Sequence, residues 1–236
     1  MKILLILGVI FVVFSASIYA NAHVPYFEHN DFSEEKPFNV RKMVTQSKAI
    51  YSWLENDGVN PCEDIDIYKL NVIRPINLYL ELIVPVVDEL YEDFVPWYAL
   101  VGPELPIPSQ YLPFDLPDGY GAIVMENVNP GEPRETFYEP FGGKSYYEGP
   151  KFYDKINETG IYYVYCWDPY QKGGDYTIVI GNLEIWGPLD ILRAIIYTPL
   201  IRHGFEFISK NLTFDFFNFS NQQKFQLIRF RIQFVN

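Results

Sequence analysis

The stretch that most constrains this chain is Gly160–Glu184, GIYYVYCWDPYQKGGDYTIVIGNLE. Two runs of aromatic and β-branched residues, around Ile161–Trp167 and Asp175–Ile180, flank a polar, Gly-rich link. Such side chains suit a pleated, half-buried surface, and the link carries turn chemistry. The stretch therefore predicts two strands joined as a hairpin that closes an antiparallel sheet. Tyr and Phe number 19 each, which extends the same packing to a whole β-rich core.

Upstream segments agree. Strands are predicted around Phe38–Lys42, Lys48–Leu54 and Ile65–Ile73. The clearest alternation follows, with Ile76, Leu78, Leu80, Leu82 and Val84 on one face and Asn77, Tyr79 and Glu81 on the other, a half-buried strand. Residues 85–120 hold seven prolines. Proline removes ladder donors, so this stretch is predicted as a long insertion, with one short strand at Trp97–Val101, that lies as a rigid lid over a sheet edge. Shorter strands are predicted at Gly121–Glu126 and Arg134–Tyr138. Pro188–Arg202 reads as a helix that docks through Leu189, Leu192, Ile196 and Leu200 and is ended or kinked by Pro199. The predicted fold is an all-β, antiparallel, jelly-roll-like β-sandwich over 38–187. An extended arm (23–37) precedes it, a helix (188–203) follows, and a Phe-, Asn- and Gln-rich tail (204–236) ends the chain.

The first 22 residues have the form of a secretory leader: Lys2, an apolar run Ile3–Phe14, then Ala20-Asn21-Ala22. The run is short for a membrane span. Cleavage would expose His23 and leave a secreted, periplasmic or cell-surface protein with no membrane span. A net charge of −12 opposes binding to nucleic acid. In an oxidising compartment Cys62 and Cys166 form either one disulfide or two buried thiols; both readings stand at this point.

No catalytic set stands out. There is no G-x-S-x-G, and the three histidines, His23, His29 and His203, lie toward the ends. A processed His23 offers an amine and an imidazole, which with His29 would make a copper site of suitable ligand types. The acidic groups Glu63, Asp64 and Asp66, and Asp88, Glu89, Glu92 and Asp93, provide oxygens of the kind Ca²⁺ takes, with Asp64 and Asp66 the named candidates. Trp97, Tyr98, Tyr111, Tyr120, Tyr146 and Tyr147 are candidates for stacking on sugars.

Four segments together resemble the pre-peptidase C-terminal (PPC-like) domain: Ser47–Tyr51, Asp64–Leu70 with its D-x-D-x-Y, Gly160–Val164 and Gly173–Gly181. Their order and spacing match over about residues 38–184. The proline-rich insertion, the helix and the tail depart from the compact pattern. The resemblance implies a jelly-roll-like sandwich that serves as a non-catalytic accessory module of secreted proteins. The expected function is thus an exported, non-catalytic module that binds a protein or glycan partner, or has a structural role, at the cell surface or in the periplasm. The open alternatives are a copper protein built on His23, and a carbohydrate-active or carbohydrate-binding sandwich.

Overall fold

The computed structural model describes residues 23–28, 32–33, 36–41, 43–55, 64–87 and 90–203. The leader, His29, Cys62, Glu63, Asp88, Glu89 and the 204–236 tail lie outside the described residues. The strands are β1 (Val24–Phe27), β2 (Phe38–Asn39), β3 (Lys48–Leu54), β4 (Ile65–Val72), β5 (Ile76–Pro85), β6 (Trp97–Pro103), β7 (Tyr120–Met125), β8 (Thr136–Glu139), β9 (Lys144–Ile156), β10 (Gly160–Trp167) and β11 (Gly174–Ile180). One helix, α1 (Pro188–Arg202), follows them. The strands form a β-sandwich. One sheet has six strands in the order β1-β3-β11-β5-β9-β8, and the other has five in the order β2-β4-β10-β6-β7. Pairing is antiparallel except at β1–β3 and β2–β4, which are parallel.

Period-two alternation builds the core. Leu78, Leu80, Leu82 and Val84 of β5 point inward beside Ile178 and Ile180 of β11. They meet Tyr68, Leu70 and Val72 of β4, Leu100 of β6, and Tyr162 and Val164 of β10. These residues are at most 2 % exposed, and each buried aliphatic side chain contributes roughly 1.5–3 kcal/mol.

Several elements depart from expectation, each for a local reason. Strands β10 and β11 do not pair. Strand β10 lies between β4 and β6, and β11 lies between β3 and β5, so the link between them crosses from one sheet to the other. The Asp168 carboxylate holds that link by accepting bonds from the backbone N–H groups of Tyr170 (2.9 Å) and Gly173 (2.8 Å), and from Lys172. The expected arm contributes β1, which pairs with β3. Strand β9, thirteen residues long, has no counterpart among the expected strands. Gly149 and Pro150 sit where its register with β5 skips, between Glu81↔Lys151 and Ile83↔Glu148. The bulge spares Pro150 a ladder bond, and a Cβ at Gly149 would overlap the Leu82 carbonyl oxygen.

The proline-rich insertion covers a sheet face as well as an edge. Leu112, Phe114 and Leu116 pack on Ile67, Ala99, Val101, Ala122, Tyr165 and Trp167, on the outer side of the five-stranded sheet. Phe114 stacks on Tyr165 with centroids 4.0 Å apart. The Pro106 carbonyl accepts a 2.8 Å bond from Ala122 N of edge strand β7.

Helix α1 has the expected bounds, but of the expected docking stripe only Leu200 packs on the sandwich. Leu189, Leu192 and Ile196 are exposed, as is Ile195, while Asp190, Ala194 and Ile201 are buried. Polar and aromatic anchors set this orientation. The Asp190 carboxylate accepts bonds from Gln46 Nε2 and Gly187 N, both 3.0 Å, the Arg193 guanidinium lies 4.2 Å from the Tyr26 ring centroid, and Tyr197 stacks on Phe27 at 4.4 Å. Pro199 lies within the last turn, and the helix runs on to Arg202.

Candidate functional site: a groove on the six-stranded sheet

The outward-facing residues of β3, β11, β5 and β9 form two rows across the sheet. One row runs Tyr51, Thr177, Ile83, Glu148, and the other Ala49, Val179, Glu81, Lys151. Helix α1 covers part of this face through Tyr197, Leu200 and Ile201, which meet Phe27, Ala49, Tyr51, Ile83, Phe137 and Tyr146. Its last turn is tied to the β8–β9 turn, where Arg202 donates from Nε to the Phe141 carbonyl (3.1 Å) and from Nη2 to that of Pro140 (3.3 Å). A groove of about 600 Å³ remains between the β8–β9 turn and the sheet. That volume is in the range of small-molecule sites.

The groove is aromatic and acidic. Tyr79 and Phe141 stand half-buried on its sides. Lys151 Nζ bridges Glu81 (3.2 Å) and Glu148 (2.8 Å), and Tyr79 donates its phenolic proton to Glu81. These contacts shift the proton affinities of both groups. The Lys151 ammonium is held above its ordinary value, first by its bond to Glu148. The Tyr79 phenol is also raised, first by burial and then by Glu81. Glu139 accepts bonds from Phe141 N (2.8 Å) and Gly142 N. At the bottom lies Thr177, 1 % exposed, whose hydroxyl has no hydrogen-bond partner among the described residues.

His23 lines one end of the groove, and its Nδ1 is hydrogen-bonded to Ser47 Oγ. Burial lowers the imidazole pKa, and Glu81 offsets part of this. The pair has the residue types of a nucleophile and its base. Ser47, however, is only 2 % exposed and lies where β1 meets β3, which closes its oxygen to a substrate carbonyl.

The residues singled out in the sequence are dispersed. His23 is in the groove, His29 lies outside the described residues, and His203 caps α1 at the surface. Asp64 precedes β4 and accepts a bond from Glu55 N. Asp66 is fully buried between the sheets. Among the described residues, no group of three His, Cys, Asp or Glu side chains is placed to hold a metal ion. Cys166 is a free, buried thiol opposite Asp66 on β4. Of the six aromatics proposed for sugar stacking, Tyr146 lines the groove. Tyr98 is in the core, Trp97 and Tyr120 lie under the lid, Tyr147 lies beneath Arg134, and Tyr111 is exposed.

The groove residues overlooked in the sequence are Glu81, Glu148, Lys151 and Thr177. The alternation of β5 already set Tyr79 and Glu81 opposite the core. Thr177, a polar residue inside the apolar run Tyr176–Ile180, was a second visible signal. No known protein-family model and no characterised protein sequence matches the chain.

Proposed function

We propose that this chain is an exported, non-catalytic β-sandwich module that binds its ligand in the groove of the six-stranded sheet. The unequal treatment of the two outer sheet faces carries this reading. The lid packs apolar side chains over the five-stranded sheet. Helix α1 covers only part of the six-stranded one and leaves the groove open. A recessed, mixed aromatic and polar surface on a rigid sheet is the form a binding site takes. Two further observations favour binding over catalysis. The buried carboxyl groups Glu28 and Asp66 lie within the sandwich, away from the groove lining, and the His23–Ser47 pair is enclosed. The PPC-like pattern and the leader motif of the sequence support the same reading.

The test uses full-length protein made in a secreting host and the isolated cell envelope of the producing organism. The released product should begin at His23, and it should sediment with the envelope. Asn182 is exposed on the groove rim, so Asn182→Trp narrows the groove without touching the core. It should abolish sedimentation. Sedimentation equal to that of the unaltered protein would remove the groove from the function, and an intact Met1 on a membrane-bound product would replace export by anchoring.

A further inference from the structure

We propose that the chain's own C-terminal segment, residues 204–236, docks back onto the outward face of helix α1 and covers it. That face is the aliphatic stripe Leu189, Leu192, Ile195 and Ile196, whose members are 49 to 69 % exposed. Residues three and four apart share one side of a helix, so the four form one continuous patch, about 10 Å long at the helical rise. The opposite side of α1 is already committed to the sandwich through Asp190, Tyr197 and Ile201. Other exposed aliphatic residues, Ile73, Leu90 and Ile107, belong to three different loops and make no such row. An apolar row of this kind marks a surface that something else covers.

Reach favours the chain's own end as the occupant. Helix α1 stops at Arg202, His203 caps it, and 33 residues follow. Gly204 stands directly after the cap, and glycine is the residue type that lets a chain reverse at a helix end. The path back from His203 to Leu189 is about 21 Å of helix, which an extended chain crosses in about seven residues. Tethering also presents the segment to the stripe at an effective concentration on the order of millimolar, far above that of a second copy in dilute solution.

Composition points the same way. Residues 204–236 hold nine of the chain's 19 phenylalanines. Several fall in alternating runs, Phe205-Glu206-Phe207, Phe214-Asp215-Phe216 and Phe230-Arg231-Ile232-Gln233-Phe234, which set apolar side chains on one side and polar ones on the other. Such a segment needs an apolar surface to lie on, and the stripe supplies one. Lys210, Lys224, Arg229 and Arg231 outnumber Glu206 and Asp215 there, in a chain whose net charge is −12, so the segment is drawn toward its own acidic body. A segment held through one face detaches without unfolding the sandwich, so trimming a single stripe residue leaves the global unfolding energy almost unchanged.

The experiment places the photo-crosslinker benzoylphenylalanine at Ile195 in the full chain and irradiates dilute protein, alone and with vesicles of phosphatidylcholine and phosphatidylglycerol. Mass spectrometry should find a product of monomer mass in which position 195 is joined to a peptide from residues 204–236. In parallel, Leu189→Lys combined with Ile195→Lys puts two charges on the stripe at positions that are already exposed, so the sandwich keeps its circular dichroism. Proteolysis of a detachable segment tracks its open population, and chymotrypsin should therefore cut within residues 204–236 of the double variant about tenfold faster than in the unaltered chain, or more. Equal cutting of the two proteins would overturn the proposal. So would a crosslink that joins two copies, which assigns the stripe to self-association, a crosslink to lipid without the intrachain product, which assigns it to a membrane surface, or the absence of any crosslink.

Discussion

The carboxyl groups of Glu28 and Asp66 are neighbours inside the sandwich, near enough for the charge of one to raise the other, and Glu28 is 1 % and Asp66 0 % exposed. They begin a polar chain that crosses between the sheets. Tyr176 donates to Asp66, the Tyr176 and Tyr68 hydroxyls are 2.7 Å apart, and Tyr68 and Ser52 are also 2.7 Å apart. Ser52 and Tyr176 belong to the six-stranded sheet, Asp66 and Tyr68 to the five-stranded one. Burial and a neighbouring like charge both disfavour the ionised form of a carboxyl group. Burial, then the Asp66 charge, pushes the Glu28 carboxyl up to about 11.

The stability of the fold should therefore fall as the solution becomes alkaline. A carboxyl whose pKa is raised by folding releases a proton on unfolding, so unfolding is favoured as pH rises. The contribution of Glu28 is complete below its ordinary value of 4.5 and is lost progressively toward about 11, at up to ~1.4 kcal/mol per pH unit. Thermal melts from pH 4 to pH 9 should show a falling midpoint. Glu28→Gln, which mimics the protonated carboxyl, should flatten that slope; an unchanged slope would mean that Glu28 is ionised in the fold.

Thr177→Val should stabilise the protein. The substitution removes a buried hydroxyl that lacks a partner and keeps the side-chain volume, for a gain of about 1 kcal/mol. Urea unfolding measures it. A loss of stability would place a bound water or an unseen partner on Thr177 Oγ1.

Cys166 should resist alkylation in the native state. It is fully buried in the core beside Asp66, and burial, then the Asp66 charge, holds its thiol well above the ordinary range. Iodoacetamide at pH 8 should leave it intact in native buffer and modify it in guanidinium without reductant, as read by mass spectrometry. Protection that persists in guanidinium until a reductant is added would show a disulfide to Cys62.

The two faces of α1 should respond differently to truncation. Ile201 is fully buried against the groove-side cluster, so Ile201→Ala should cost about 2–5 kcal/mol. Leu192 is 52 % exposed, and Leu192→Ala should stay within about 0.5 kcal/mol. The reverse order in a denaturant titration would mean that the helix docks by its aliphatic stripe.

Gly102→Ala should be severe although its backbone is ordinary. Gly102 pairs with Gly121 across β6 and β7, and a Cβ there would overlap the ring of Tyr162, whose side chain fills the space beside it. The overpacking should cost about 1–3 kcal/mol or more, seen as a lower midpoint in the same titration. A neutral outcome would require Tyr162 to find another rotamer in a close-packed core.

Alternation in the sequence determined the β class, most strands and the inward face of β5, because a period of two with one buried side admits little else. Cap and turn residues likewise determined the span of α1, with Gly187 before Pro188 and Asp190 in the first turn. Tertiary structure decided which strands are neighbours. Strands β10 and β11 look like a hairpin locally, yet each pairs on both edges with other strands, in different sheets, and the link between them crosses the sandwich. It also decided the face by which α1 docks. Four aliphatic side chains at helical spacing were visible, but the Asp190–Gln46 bond and the Tyr197–Phe27 stack link residues more than 140 positions apart, and no local pattern encodes them. The groove has the same origin: Glu81, Lys151 and Thr177 are each unremarkable in sequence, and only sheet register sets them side by side.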